Sequence, residues 1–374
     1  MIAFARTDTS LVARWWWTVD RVTLLLILLL ILAGIVLTMS ASPAVANRIG
    51  APTYHFVFRQ AIFVIPAIIA MVGLSLLTPE QVRSVGAMGF GLFFVLLALV
   101  PIAGTEIKGA RQWIGAGPIA LQPSEFIRPF FCIVVAWALA DARIRRNLMG
   151  YALTVVALLG VIGLIVMQPD FGMTMLVAGT WAVQVFVAGL PWLLVAIVLG
   201  GAVAGLAGGY LMLDHVASRI DRFLDPSTGD SYQITTSLSA IQNGGLIGRG
   251  PGEGLVKAVL PDAHTDFIFS VTAEEFGVLA CLLMISAFAG IIIRGYMRMM
   301  QERDLFVVLA VSGLLGSFGL QAFINMGVAV HLMPTTGMTL PLISYGGSSL
   351  VATACGLGMM LALTRRRYVE GSGR

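Results

Sequence analysis

The residues with the most chemistry to offer close a polar stretch, Leu260-Pro261-Asp262-Ala263-His264-Thr265-Asp266, immediately before an apolar run. At that boundary low dielectric is expected to disfavour the charged form of Asp266, which would suit its carboxylate to act as a general base. The plainer reading of the position is a helix-start carboxylate that complements the macrodipole. His264 has no second histidine at ligand spacing, so no zinc site is expected there. Glu125, in Gln122-Pro123-Ser124-Glu125, precedes Arg128 by three residues. The two share one helical face, where they either pair with each other or meet an anion at the helix start. Asp170 lies in a tight turn, Gln168-Pro169-Asp170-Phe171-Gly172. Lys108, Arg111, Arg128, Arg249 and Lys257 are the cations in these polar segments.

Two further features flank Asp266. The glycine-rich stretch from Gly244 to Gly254 lacks the Lys-Ser ending of a nucleotide loop and is expected to be a flexible segment that approaches a bulky ligand. Ser270, Ala273 and Gly277 follow Asp266 at helical spacing and predict a shallow groove for a lipid tail or a neighbouring helix. Glu274 and Glu275 lie deeper in that helix, with proton-relay and structural roles both open.

The elements that position these residues are set by composition. The 374-residue chain is 58% hydrophobic and 11% charged, with a mean hydropathy of +0.92. A water-soluble fold does not carry that much apolar surface, so the excess faces lipid. A hydrocarbon core about 30 Å thick needs about 20 apolar residues per helix. Runs of this kind fall at 22–39, 57–77, 85–101, 126–140, 148–167, 171–188, 190–213, 267–293, 305–330 and 340–363. The expected fold is an all-α polytopic membrane protein, about ten transmembrane helices in one bundle over 1–374. The first run is expected to stay uncleaved, with Trp15-Trp16-Trp17 as an interface anchor. Cys132, Cys281 and Cys355 lie inside apolar runs and read as core residues.

Arginines set the orientation. Arg6 and Arg14, then Arg143, Arg145 and Arg146, then Arg294, Arg298 and Arg303, then Arg365 to Arg367, all fall on one side of the predicted bundle. The positive-inside rule makes that side cytoplasmic. It predicts a cytoplasmic N-terminal segment (1–20), an extracytoplasmic loop (214–266) between the seventh and eighth helices, and a cytoplasmic tail (364–374). Asp266 and its companions then face outward.

Five segments in this order carry a resemblance: Lys108-Gly109-Ala110-Arg111-Gln112-Trp113-Ile114, Gln122-Pro123-Ser124-Glu125, Gln168-Pro169-Asp170-Phe171-Gly172, His264-Thr265-Asp266-Phe267-Ile268-Phe269, and Pro341-Leu342-Ile343-Ser344-Tyr345-Gly346-Gly347-Ser348-Ser349. The chain resembles the SEDS family (shape, elongation, division and sporulation) from its first helices to its arginine-rich tail. Met333-Pro334-Thr335-Thr336-Gly337 and the Ser348-Ser349 ending are more similar to the division branch than to the elongation branch. Arg128 stands where the family usually has lysine, a planar guanidinium in place of a point charge.

The resemblance implies an inner-membrane peptidoglycan glycosyltransferase that polymerises lipid II on the outer face during septal wall synthesis. It implies a class B penicillin-binding protein transpeptidase of the FtsI type as partner, and no nucleic acid. Asp266 is the catalytic position it implies, with Lys108, Arg111, Glu125, Arg128, Asp170, Arg249, Lys257, His264, Thr265 and Ser344 as substrate-binding positions. A divalent cation, Mg2+ or Mn2+, sharing the diphosphate charge is compatible with Asp170 or Glu125, although spacing reveals no ligand set. A lipid flippase and a non-catalytic division scaffold are the rival readings.

Overall fold

The computed structural model describes residues 10–107, 110–115, 120–189 and 232–366, with scattered positions between 200 and 223. Its helices are α1 (Leu11–Thr18), α2 (Arg21–Arg48), α3 (His55–Ser75), α4 (Pro79–Ala103), α5 (Pro123–Arg145), α6 (Met149–Val166), α7 (Phe171–Val187), α8 (Tyr232–Gly244), α9 (Ile268–Met299), α10 (Leu305–Ala329) and α11 (Gly347–Leu363). A small antiparallel hairpin, β1 (Thr105–Ile107) and β2 (Ala110–Trp113), joins α4 to α5.

Among the described residues, α2, α3, α4, α6, α9 and α10 are long and apolar enough to cross a membrane, and α7 and α11 are shorter apolar helices. The expected runs other than 190–213 each coincide with a helix; that run lies largely outside the described residues. Side chains such as Ile62, Ile69, Leu92 and Leu153 point outward with more than half their surface open. In water such a surface would drive aggregation; against lipid tails it costs nothing. The inward seams are α11 along α3, α4 along α5, α10 against α5 and α7, and α9 against α2 and α10. All three cysteines are buried and free in this core.

The structure corrects four local expectations. Of the three tryptophans expected as an interface anchor, Trp15 turns inward instead: its indole is buried and donates to Ser75 Oγ at 2.8 Å, drawing α1 against the end of α3. The last run becomes helical only at Gly347, because Ser344 Oγ accepts the Leu340 N–H at 2.8 Å and folds the preceding residues into a turn. The segment 214–266 is not all loop, since it carries α8 and a 3-10 turn at Val256–Ala258.

The fourth correction concerns the glycines. α9 breaks at Gly277, which adopts φ +79 and ψ 179. A broken membrane helix strands N–H and C=O groups that lipid cannot satisfy. Here the glycine-rich stretch satisfies them. Arg249 N and Gly250 N donate to the Glu274 and Glu275 carbonyls at 3.0 Å each, while Val278 N and Leu279 N donate to Gly245 O and Leu246 O at 3.0 and 3.2 Å. A Cβ on Gly248 would lie 2.1 Å from Glu275 O, so only glycine allows this approach. The stretch is a splint for a helix break rather than a flexible ligand loop.

Candidate active site

Asp266 is delivered by a tight turn. Asp262 takes φ +49, tolerable for a short polar side chain, and its carbonyl accepts the N–H groups of Thr265 and Asp266 at 3.0 and 3.1 Å. The chain then enters α9 at Ile268, leaving Asp266 partly exposed at the helix start. Three consecutive carbonyls fix this turn from outside. His264 O accepts Tyr345 N at 2.9 Å, Thr265 O accepts the Ser344 hydroxyl, and Asp266 O accepts Asn325 Nδ2 at 2.9 Å. The buried His264 ring lies 4.3 Å from Phe56 and 5.5 Å from Tyr345, centroid to centroid. Beside the carboxylate, a Cβ built on Gly337 would be 4.0 Å from Asp266 Oδ2, and Gly337 itself has φ +71. Thus glycine keeps that flank open.

A polar network runs inward from this point through α10. Gln321 and Asn325 are four residues apart and share a face. Asn325 Nδ2 also donates to Met338 O at 2.6 Å, and Gln321 Nε2 donates to Thr339 O at 3.0 Å. Gln321 Oε1 accepts Arg128 Nη1 at 2.7 Å, and Arg128 in turn pairs with Glu125. Both members of that pair are 5% exposed. The expected pairing of Glu125 with Arg128 is therefore present, as a buried structural link between α5 and the loop beside Asp266.

The remaining polar segments gather at the same end. Asp170 Oδ1 accepts Met173 N at 2.9 Å and so caps α7. Gly172, two residues further, lets α7 touch the loop: a Cβ there would lie 2.8 Å from Thr336 O. Gln112 on β2 donates to Gln168 O at 3.3 Å, and Gln122 N donates to Ser348 Oγ at 3.1 Å. Arg111 is half exposed and lies 3.4 Å from Glu106 across the hairpin. Lys108 lies outside the described residues.

Lys257 is not a surface cation. It is buried, pairs with Glu275, and reaches Ser40 O at 3.2 Å. Glu275 needs that counter-charge because a lone carboxylate in the interior is costly. Glu274 accepts Val256 N and Lys257 N at 2.7 and 2.9 Å, so both glutamates hold the segment leading to Asp266. Arg249 is exposed and braced on Asn243 at 3.2 Å. Sequence reasoning missed Arg48, which donates to Leu260 O at 2.8 Å, and missed Gln321 and Asn325. Two amides four apart inside an apolar run were the available signal.

The expected groove below Asp266 is filled. Ser270 Oγ lies 2.6 Å from Ser237 Oγ of α8, and a Cβ on Gly244 would lie 1.8 Å from Ala273 O. Ser270, Ala273 and Gly277 form a packing seat for α8 and the glycine splint, which leaves the carboxylate facing the Gly337 side.

A family profile described as "Cell cycle protein" and covering FtsW, RodA and SpoVE matches residues 20–369. The chain belongs to this family. Within the FtsW/RodA/SpoVE family it is 40% identical over 370 residues to the probable peptidoglycan glycosyltransferase FtsW of Caulobacter vibrioides, covering 98% of this chain and 94% of that protein. It is 36% identical over 355 residues to the corresponding FtsW of Saccharophagus degradans, covering 91% and 90%. Its fold superposes on a chain of a peptidoglycan synthase complex that coordinates polymerisation and crosslinking, with a TM-score of 0.77 and 31% identity over 93% of this chain and 98% of that one. Thermus thermophilus RodA, the rod shape determining protein, superposes with a TM-score of 0.70 and 31% identity, over 93% of this chain and 97% of that one.

Proposed function

We propose that this protein is the peptidoglycan glycosyltransferase of cell division, polymerising lipid II into glycan strands at the outer face of the cytoplasmic membrane. The observation that carries the reading is the fixing of Asp266. Its turn is held through three carbonyls from two other elements while its carboxylate stays partly exposed beside Gly337. A general base needs this combination of rigid placement and access.

In the reaction, the Asp266 carboxylate accepts the proton of the 4-hydroxyl on the acceptor N-acetylglucosamine. The freed oxygen attacks the anomeric carbon of the donor N-acetylmuramic acid from the face opposite the diphosphate. The new C–O bond forms as the old one breaks, and its electron pair leaves with the lipid diphosphate. Such a displacement inverts the anomeric centre, as in inverting glycosidases with a sugar alcohol in place of water. Arg111 and Arg249 are the described cations on this end proposed to meet the departing diphosphate, a task the sequence also assigns to Lys108, which lies outside the described residues. Arg128 and Lys257 act through the scaffold, since each already neutralises a buried glutamate. His264, Thr265 and Ser344 shape the turn, and Asp170 orders the start of α7 beside the loop.

Among the described residues, the side chains do not by themselves assemble a centre for a divalent cation. Among the described residues no three His, Cys, Asp or Glu groups converge, Glu125 is bound to Arg128, and Asp170 caps a helix. No step is routed through such an ion.

The outward orientation is supported by the arginines. Arg14 and Arg21, Arg143 to Arg146, Arg294 to Arg303, and Arg365 with Arg366 lie at the bundle end away from Asp266, the end assigned to the cytoplasm together with both termini. The proposed partner is a class B penicillin-binding protein, which crosslinks the strands at the septum. Purified protein with that partner and labelled lipid II is expected to yield glycan strands. Transbilayer movement of lipid II without strands would reject the reading in favour of a flippase.

A further inference from the structure

A cavity lined by arginines lies at the other end of the molecule. α2 and α9 each reach it from the Asp266 end, and the 28 residues of α2 alone span about 42 Å, enough to cross a bilayer. There Arg14, Arg21, Arg294, Arg298 and Arg366 surround Asp20 in a cavity of about 730 Å³.

Asp20 holds the back wall. Its carboxylate is 2% exposed and accepts Arg294 Nε at 2.6 Å, Arg298 Nε at 2.8 Å, Thr23 Oγ1 at 3.0 Å and Val22 N at 3.2 Å. That is the only carboxylate among the described lining residues, against five guanidinium groups. Arg366 is brought in because its N–H donates to Thr18 O at 3.1 Å, closing the tail over α1. Arg21 is set between two indoles, 4.9 Å from the Trp16 ring and 4.7 Å from the Trp17 ring. Tryptophan beside arginine at a helix end is the signature of the headgroup layer, and basic pockets between helices there bind phosphate-bearing headgroups. Like charges so close are costly without a counter-ion. Neither the proposed chemistry nor the catalytic turn uses any of these residues.

We propose that this cavity binds a phosphate-bearing anion, held by Arg14, Arg21 and Arg366 in front of an Asp20–Arg294–Arg298 wall. The ligand chemistry is a phosphate ester or free phosphate. Its source is either an anionic phospholipid of the adjoining leaflet or a soluble phosphate.

The test uses the full chain in nanodiscs of dioleoyl phosphatidylglycerol with phosphatidylcholine, and of phosphatidylcholine alone. Native mass spectrometry counts retained phosphatidylglycerol, and calorimetry titrates inorganic phosphate into the phosphatidylcholine discs. Each arginine facing an anionic headgroup contributes about fivefold in affinity, so Arg14→Gln with Arg366→Gln is expected to weaken binding roughly 25-fold. Retained phosphatidylglycerol lost in the double variant identifies a lipid source. Saturable phosphate binding lost in the same variant identifies a soluble one. If wild type and variant retain equal phosphatidylglycerol and neither binds phosphate, the proposal is overturned. Unchanged thermal unfolding of the variant in phosphatidylcholine discs separates lost binding from lost fold. Should the double variant unfold, the single Arg14→Gln protein is read in the same way, with a fivefold expectation.

Discussion

The side-chain amide of Asn325 donates from one nitrogen to two carbonyls, Asp266 O at 2.9 Å and Met338 O at 2.6 Å. It thereby ties the proposed base to the loop that carries Gly337, and positions Asp266 without touching substrate. Replacing Asn325 by Leu removes both bonds and leaves two carbonyls short of a donor, costing about 1–3 kcal/mol of stability. Strand synthesis is expected to fall through kcat, with the KM for lipid II little changed. A rise in KM at constant kcat would show that Asn325 serves substrate binding instead.

The Glu125–Arg128 link invites a double-mutant cycle. Arg128→Met leaves Glu125 buried and unpaired, and is expected to cost about 3–5 kcal/mol, read as lower thermal stability in detergent. Adding Glu125→Leu removes the stranded charge and should restore most of that loss. Additive losses in the double variant would show that the two residues do not depend on each other.

The glycine splint gives a graded series. Gly248→Ala and Gly277→Ala each combine positive φ with backbone contacts at 2.1 and 2.3 Å, and are expected to cost about 3 kcal/mol or more. Gly245→Ala meets only the φ penalty, because nothing lies within 4 Å of its Cβ, and should cost about 1–2 kcal/mol. Equal losses at all three positions would contradict the splint.

How much of this was legible in the sequence follows a physical division. Apolar runs marked the helices because membrane burial acts on each segment separately. The three-residue spacing of Glu125 and Arg128 made their pairing one of two legible outcomes because one helix carries both, and the structure shows that pairing. Gly277 and Gly248 were opaque, since the break in α9 and its splint lie about thirty residues apart and each makes sense only beside the other. Lys257 read as a substrate-binding cation because its partner Glu275 comes from a different element. Asn325 was hidden among apolar neighbours, its role fixed by carbonyls on two other segments.

Asp20 makes the pH dependence of stability testable. Burial pushes its carboxyl upward, but hydrogen bonds from Arg294 and Thr23 and the charges of Arg298 and Arg294 outweigh that and hold it below the ordinary aspartate value. A depressed folded value means a stabilising contribution that is complete above the unfolded pKa, about 3.9, and is lost as pH falls below it. Wild type should therefore unfold at higher temperature than Asp20→Asn near neutral pH, with the gap shrinking on acidification through pH ~4. A gap that widened toward acid would reverse the assigned sign.

The most direct measurement is glycan polymerisation by purified Asp266→Asn protein with its transpeptidase partner and labelled lipid II. Loss of a general base lowers the rate by about 10²-fold or more, so strands should all but vanish while thermal unfolding matches wild type. Strand synthesis at the wild-type rate by that variant would contradict the account.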